Sequence, residues 1–360
     1  MRANGDTMER AYSLDGLRAI AVLIVMISHA GLGSIIPGGF GVTIFFFLSG
    51  YLITSLLVVE HQRAGRIDFL GFFVRRAVRI LPPMWIAILL VVAISQVFPF
   101  GNPIVIGNIG YDLLFLTNYA QFDGHGSNIP IPLWSLDIEE HYYLAFPFVF
   151  AAMFKRYGAK GISWFSLAGC VLVLAMRFTI SGAPDSAEEI YYSTHTRIDS
   201  ILFGCLLATF NSPEGVGRQV IGASFVAFTI GLALILASFA VRNPVFQETV
   251  RYSVQGIGLF FVFNYVLRTK GWVAKLLSHK WFRPTANFSY FLYLIHLPLY
   301  LLAIGHSGLI APLAYALGFA GAFPAAWVVH YGVERPLAIW RKSVTQSQVL
   351  AGQPRPKGLE

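Results

Sequence analysis

Residues 14–30 read LDGLRAIAVLIVMISHA, an apolar run long enough to cross most of a bilayer, yet it carries Asp15, Arg18 and His29. An apolar stretch of this length is read as a membrane helix. Arg18 and His29 are eleven positions apart. At about 100° per residue His29 returns to within roughly 20° of the Arg18 face, some 16 Å further along the axis. Asp15 falls close to that face too. An ionisable group at membrane depth is costly and normally faces a bundle interior or a wet cavity, which makes this stripe a candidate site. The plainer reading is a snorkelling Asp15/Arg18 pair at the helix end and a polar packing contact at His29.

Similar runs follow along the chain. Of its 360 residues 56% are hydrophobic and 12% charged, against roughly 25% charged in soluble domains. The expected fold is an all-α polytopic bundle of about ten transmembrane helices. The spans fall at 14–33, 40–59, 81–98, 135–154, 162–181, 198–210, 218–240, 254–267, 286–304 and 311–331. They form one domain over 1–342, with a loose cytoplasmic tail over 343–360. The first run outlasts a signal-peptide core and lacks a small-residue cleavage pattern, so it is expected to be retained. Cys170 and Cys205 lie in apolar runs and suit helix packing rather than a disulfide framework or thiolate cluster.

The net charge of +8 is explained by topology rather than by nucleic acid. With the N-terminus cytoplasmic, 22 of the 26 Lys and Arg residues fall in inside segments; Arg197, Arg242 and Arg251 are outside and Arg177 is within a span. The positive-inside rule selects that orientation, which places both termini in the cytoplasm, and the expected localisation is the plasma (inner) membrane. A crossing by 104–120, IVIGNIGYDLLFLTNYA, would reverse this pattern for everything after it. The segment is therefore expected to be a re-entrant or surface-lying helix in a long outer loop.

Four further stretches carry chemistry. In LWSLDIEEHYYLAFP (133–147) a helix puts Ser135, Glu139 and Tyr142 or Tyr143 on one face, with Glu140 about 100° away. At least one carboxylate should turn inward, although acids near a helix start are also favoured by its dipole. RIDFLGFFVRRAVRILPPMW (66–85) interleaves Phe69, Phe72 and Phe73 with Arg75, Arg76 and Arg79, as an interfacial helix ahead of Pro82 and Pro83 at the next helix's first turn. Those arginines suit phosphate, or else serve as anchors to anionic lipid. YYSTHTRIDSILFG (191–204) sets His195, Arg197 and Asp199 at an outer helix mouth, as an ion cluster or a substrate clamp. FSYFLYLIHLPLY (288–300) aligns Ser289, Tyr293 and His296. GGFGVTIFFFLSGYLIT (38–54) mixes small and aromatic residues, a pattern of close helix packing. No glycine-rich phosphate loop, HExxH or GxSxG motif occurs, and no metal is expected.

In chain order these stretches, with the closing VERP, resemble acyltransferase family 3, integral-membrane O-acyltransferases that modify carbohydrates, polysaccharides, lipids or macrolides. The similarity spans nearly the whole chain. It implies a ten-helix domain that takes an acyl group, acetyl in the simplest case, from acyl-CoA on the cytoplasmic side. The family's Arg-x10-His motif falls on Arg18 and His29, and its Arg-x-x-Arg motif on Arg76 and Arg79. Its fourth-span motif usually reads like WSLSVEEQFY; here Asp137 and His141 replace the serine and glutamine. Some members add an extracytoplasmic SGNH hydrolase-like domain, for which this chain leaves no room, so no hand-off within the polypeptide is expected.

On this resemblance His29 is expected to act on an acceptor hydroxyl as general base, or to carry the acyl group transiently, with Glu139 or Glu140 orienting its imidazole. Arg18, Arg75, Arg76 and Arg79 would hold acyl-CoA. Asp15, Trp134, Ser135, His195, Arg197, Asp199, Ser289, Tyr293 and His296 would line the substrate path. Expected partners are acyl-CoA, a carbohydrate, lipid-linked sugar or macrolide acceptor and membrane lipid, with no nucleic acid; the oligomeric state stays open. The competing class is a proton-coupled transporter using His29, Glu139, Asp199 and His296 as a relay, against which stands the lack of inverted repeats or paired broken helices.

Overall fold

The computed structural model describes residues 2–99, 102–212 and 222–341, with side chains from position 12 onward. The expected tail over 343–360 and Arg218 lie outside the described residues. Within them every regular element is helical. Helix α1 (Arg2–Ile27) runs into a π turn at Ser28–Leu32, followed by α2 (Gly38–Ala64) and α3 (Phe69–Ser95). The segment expected to be an outer loop holds short pieces, a 3-10 turn at Ile106–Asn108, α4 (Ile109–Leu113) and α5 (Thr117–Ala120). Then come α6 (Trp134–Ile180), α7 (Ser186–Tyr192), α8 (Thr194–Arg197), α9 (Asp199–Phe210), α10 (Phe225–Ala240), α11 (Pro244–Glu248) and α12 (Val250–Arg268). Helices α13 (Trp272–Leu277), α14 (Phe282–His306) and α15 (Ala311–Val329) complete the set; α15 continues through a second π turn, His330–Glu334, as far as Arg341.

Among the described residues seven helices are long and apolar enough to cross a membrane, the build of an integral membrane protein. The expected spans map onto them unevenly. Helix α6 holds two, 135–154 and 162–181, joined at Gly158, whose φ of 58° and ψ of −155° only glycine adopts readily. Its first arm runs alongside α2 in the same direction, since Glu139 meets Ser49 and Phe154 meets His61. Helix α9 also runs with α2: Arg197 just ahead of it reaches Thr43, and Gly204 abuts Phe47 and Tyr51. The second arm of α6 runs against α9, because Ser163 bonds Thr209 while Arg177 bonds Asp199. The two arms are thus antiparallel, and Gly158 marks a chain reversal. The expected spans at 198–210 and 218–240 appear as the shorter apolar helices Asp199–Phe210 and Phe225–Ala240.

One local expectation changes. Residues 66–80 do not lie as a separate interfacial helix; 69–80 form the first turns of α3, and Pro82 and Pro83 sit inside it. Proline lacks the N–H but fits helical φ, so the helix continues at the loss of two backbone bonds. Asp68 caps the new N-terminus by accepting from the Gly71 N–H at 3.0 Å. Small residues explain the tightest crossing, α2 on α9: a Cβ on Gly50 would run into the Ile201 carbonyl, and one on Gly204 into that of Phe47. Helix α1 packs between α2 and α14, which sets its polar stripe facing the bundle.

Candidate functional site

Helices α1, α2, α3, α6 and α14 enclose a cavity whose polar wall comprises Arg18, Arg76, Arg79, Glu139, Ser49 and Tyr143. Each residue arrives for a local reason. The i, i+3 and i, i+4 spacings of α3 and α6 turn Arg76 and Arg79, and Glu139 and Tyr143, to one side. Glu139 accepts from Ser49 at 2.5 Å and from the Tyr143 hydroxyl at 3.4 Å, and Tyr143 also donates to Ser49 at 2.9 Å. The Arg76 guanidinium lies 5.2 Å from the Tyr143 ring centroid. Arg18 pairs with Asp15 at 3.4 Å. Glu140, on the neighbouring face, keeps a buried Oε1 without a hydrogen-bond partner.

A second cavity adjoins the first. The two share Arg18, Arg79, Ser289 and Tyr290, and the second adds His330, Glu334, Arg335 and Arg341 from the end of α15. His330 and Glu334 pair at 2.7 Å. Arg335 and Arg341 in the second cavity and the shared Arg79 and Arg18 thus line a basic path of two adjoining cavities from the α15 end into the bundle. Arg75 stands apart from it, engaged by Glu60 at 3.4 Å and Asp68 at 3.9 Å.

His29 sits beyond the first cavity, on the π turn that ends α1. Its Nδ1 lies 3.0 Å from Nε2 of His296, and the rings stack at 5.1 Å. The partner expected to be Glu139 or Glu140 is a second histidine: among the described residues Glu139 bonds Ser49 and Tyr143 instead. His296 is fully buried and continues towards the cavity through Tyr293, 6.0 Å away ring to ring, whose hydroxyl meets Ser135 at 2.5 Å. Ser289 bonds the Ala286 carbonyl on the same helix.

The outer trio separates. His195 joins Tyr119 and Glu189, Asp199 forms a buried ion pair with Arg177 at 2.6 Å, and Arg197 bonds Thr43 and the Tyr191 carbonyl. They do not build one clamp, because Ile198 separates two short helices and each residue leaves on its own bearing. Arg197 is fully buried among aromatic rings, 4.1 Å from the Tyr252 centroid and 5.9 Å from that of Trp134. Trp134 in turn packs tilted against Tyr191, centroids 4.9 Å apart; burial pushes the Tyr191 hydroxyl up to about 12, so it stays protonated. Sequence reasoning missed Ser49, Tyr290, Arg177 and Arg341 as site or network residues. Glu334 and Arg335 carried a signal, as part of VERP.

The chain is 28% identical over 315 residues to the O-acetyltransferase OatA of Staphylococcus aureus strain NCTC 8325, covering 81% of this chain and 52% of that protein. It is 30% identical over 307 residues to the putative O-acetyltransferase SACOL0978 of S. aureus strain COL, covering 79% and 49%. The chain thus spans about half the length of the curated relatives it matches. No solved structure matches it. The family profile described as an acyltransferase domain matches residues 11–331, from within α1 to the π turn that follows Val329, and the chain belongs to that family, acyltransferase family 3.

Proposed function

We propose that the protein is a membrane O-acetyltransferase that moves an acetyl group from acetyl-CoA, bound from the cytoplasmic side, to a hydroxyl of a carbohydrate or glycoconjugate. The observation that carries this reading is the arginine-lined passage from the end of α15 past Arg79 and Arg18 to Glu139. A polyanionic donor is held where fixed guanidinium groups converge, since these bind phosphate through paired N–H donors. Its thioester arm then extends along the narrower, partly aromatic cavity. In the transfer the acceptor oxygen attacks the thioester carbonyl carbon, its proton passes to His29, the carbon–sulfur bond breaks, and the leaving thiolate takes up a proton. The alternative order places the acetyl group on His29 first. Both use the same imidazole, so His29 is the decisive residue.

The test uses full-length protein reconstituted in lipid with acetyl-labelled acetyl-CoA and a panel of hydroxylated glycans. Wild type is expected to release CoA thiol and yield an O-acetylated product. His29→Gln, which keeps a polar group but cannot exchange a proton near neutral pH, is expected to lose roughly 10²–10⁴-fold in turnover with donor binding retained. Transfer by the variant near the wild-type rate removes His29 from the chemistry.

A further inference from the structure

The helical ladder of α1 gives way at His29: Ala30 has a ψ of 30° and Gly31 a φ of 85°. An exposed imidazole on such a turn cannot be aimed by its own helix alone. Its support comes from 267 residues away in sequence. His296 is fully buried on α14, its ring flanked by Tyr293 at 6.0 Å and Tyr300 at 5.8 Å. The Tyr300 hydroxyl donates to the Met26 carbonyl at 3.0 Å, which locks α14 to the last turn of α1. His296 is thus held by packing on both sides, and His29 rests against it.

The hydrogen bonds of this pair run in one direction. The Leu292 carbonyl, 3.1 Å from His296 Nδ1, can only accept, so Nδ1 of His296 carries the proton. In a neutral imidazole the other nitrogen is then an acceptor, so His296 Nε2 accepts from His29 Nδ1 across 3.0 Å. That leaves Nε2 of His29 as the nitrogen with a free lone pair.

We propose that His296 is a positioning residue that fixes the tautomer of His29, so that Nε2 is the reactive atom towards the donor or acceptor. When Nε2 takes a proton or an acyl group, positive charge spreads to Nδ1–H, and His296 Nε2 is in place to accept that hydrogen bond more strongly or to take the proton. A neutral, buried relay of this kind does the orienting of His29 that a carboxylate does in other base assemblies. This inference rests on the acetyltransferase reading for its kinetic consequence, whereas the tautomer itself is observable without turnover.

Two measurements decide it. In protein labelled with 15N-histidine, nitrogen shifts that disappear in His29→Gln belong to His29; they are expected to report a protonated Nδ1 and a bare Nε2, and a mixture of tautomers in His296→Phe. In acetyl transfer, His296→Phe keeps the ring volume but removes the acceptor. It is expected to lower kcat by roughly 10- to 100-fold, a part of the 10²–10⁴ that a placed base contributes, with the donor KM unchanged. His296→Gln, whose amide oxygen accepts near the Nε2 position, is expected to recover much of that loss, which a merely structural role would not produce. A bare Nδ1 on His29 in wild type, or a His296→Phe enzyme with normal kcat, overturns the inference. Failure of the acetyltransferase reading shows differently, as absence of transfer by wild type with the tautomer assignment intact.

Discussion

At the scale of single residues, the most consequential contact outside the cavity is the Arg177–Asp199 pair. Both side chains are fully buried, joined at 2.6 and 3.1 Å, with Ser253 bonding Arg177 at 2.7 Å. Two charges removed from water repay their desolvation only together. Asp199→Asn is therefore expected to destabilise the protein by about 3–5 kcal/mol, while the double change Arg177→Met with Asp199→Leu costs less than the single one. Heating detergent-purified variants and following the folded peak by size exclusion checks this; unaltered thermal survival of Asp199→Asn contradicts it. The pair also shows where sequence reading stops. Asp199 stood out as an outer-mouth carboxylate beside His195 and Arg197, but its partner lies on another helix, and intrahelical spacing says nothing about which faces meet. The alignment of Arg18 with His29 was legible because both lie on one helix; the His29–His296 contact was not, because it joins two.

At the scale of elements, α3 divides its arginines by angular position. Arg76 and Arg79 are three apart and line the cavity, whereas Arg75 turns to Glu60 on α2 and Asp68 at its own helix cap. All three looked equivalent in sequence as a basic cluster, and only the continuous helix through Pro82 and Pro83 fixed which faced inward. Arg79→Ala is expected to raise the donor KM by roughly 10- to 150-fold, since a hydrogen bond to a charged group contributes about 1.5–3 kcal/mol. Arg75→Ala is expected to leave that KM near the wild-type value. Competition binding of CoA to the two variants separates them, and equal loss in both would return the cluster to membrane anchoring. The α2–α9 crossing was more readable, because glycines among aromatics allow close approach whatever the partner helix.

At the scale of the whole molecule, the question is how often the chain crosses the bilayer. Seven helices pass a length criterion, but length alone counts α6 once although its arms are antiparallel. It also omits the shorter α9 and α10. Between Asp123 in the outer loop and Lys280 ahead of α14, the length criterion gives two crossings, α6 and α12, and so puts both residues on one side. Counting each arm of α6 together with α9, α10 and α12 gives five and puts them on opposite sides. Both positions are exposed, and the native Cys170 and Cys205 are buried, so neither native thiol competes for a reagent. With an impermeant maleimide on spheroplasts, Asp123→Cys is expected to react directly and Lys280→Cys only after permeabilisation. That outcome fits the orientation the positive-inside rule selects for 22 of the 26 basic residues and puts the passage near Arg335 and Arg341 where cytoplasmic donor can reach it. Labelling of both cysteines from outside would contradict the five-crossing path and, with it, entry of the donor from the cytoplasm.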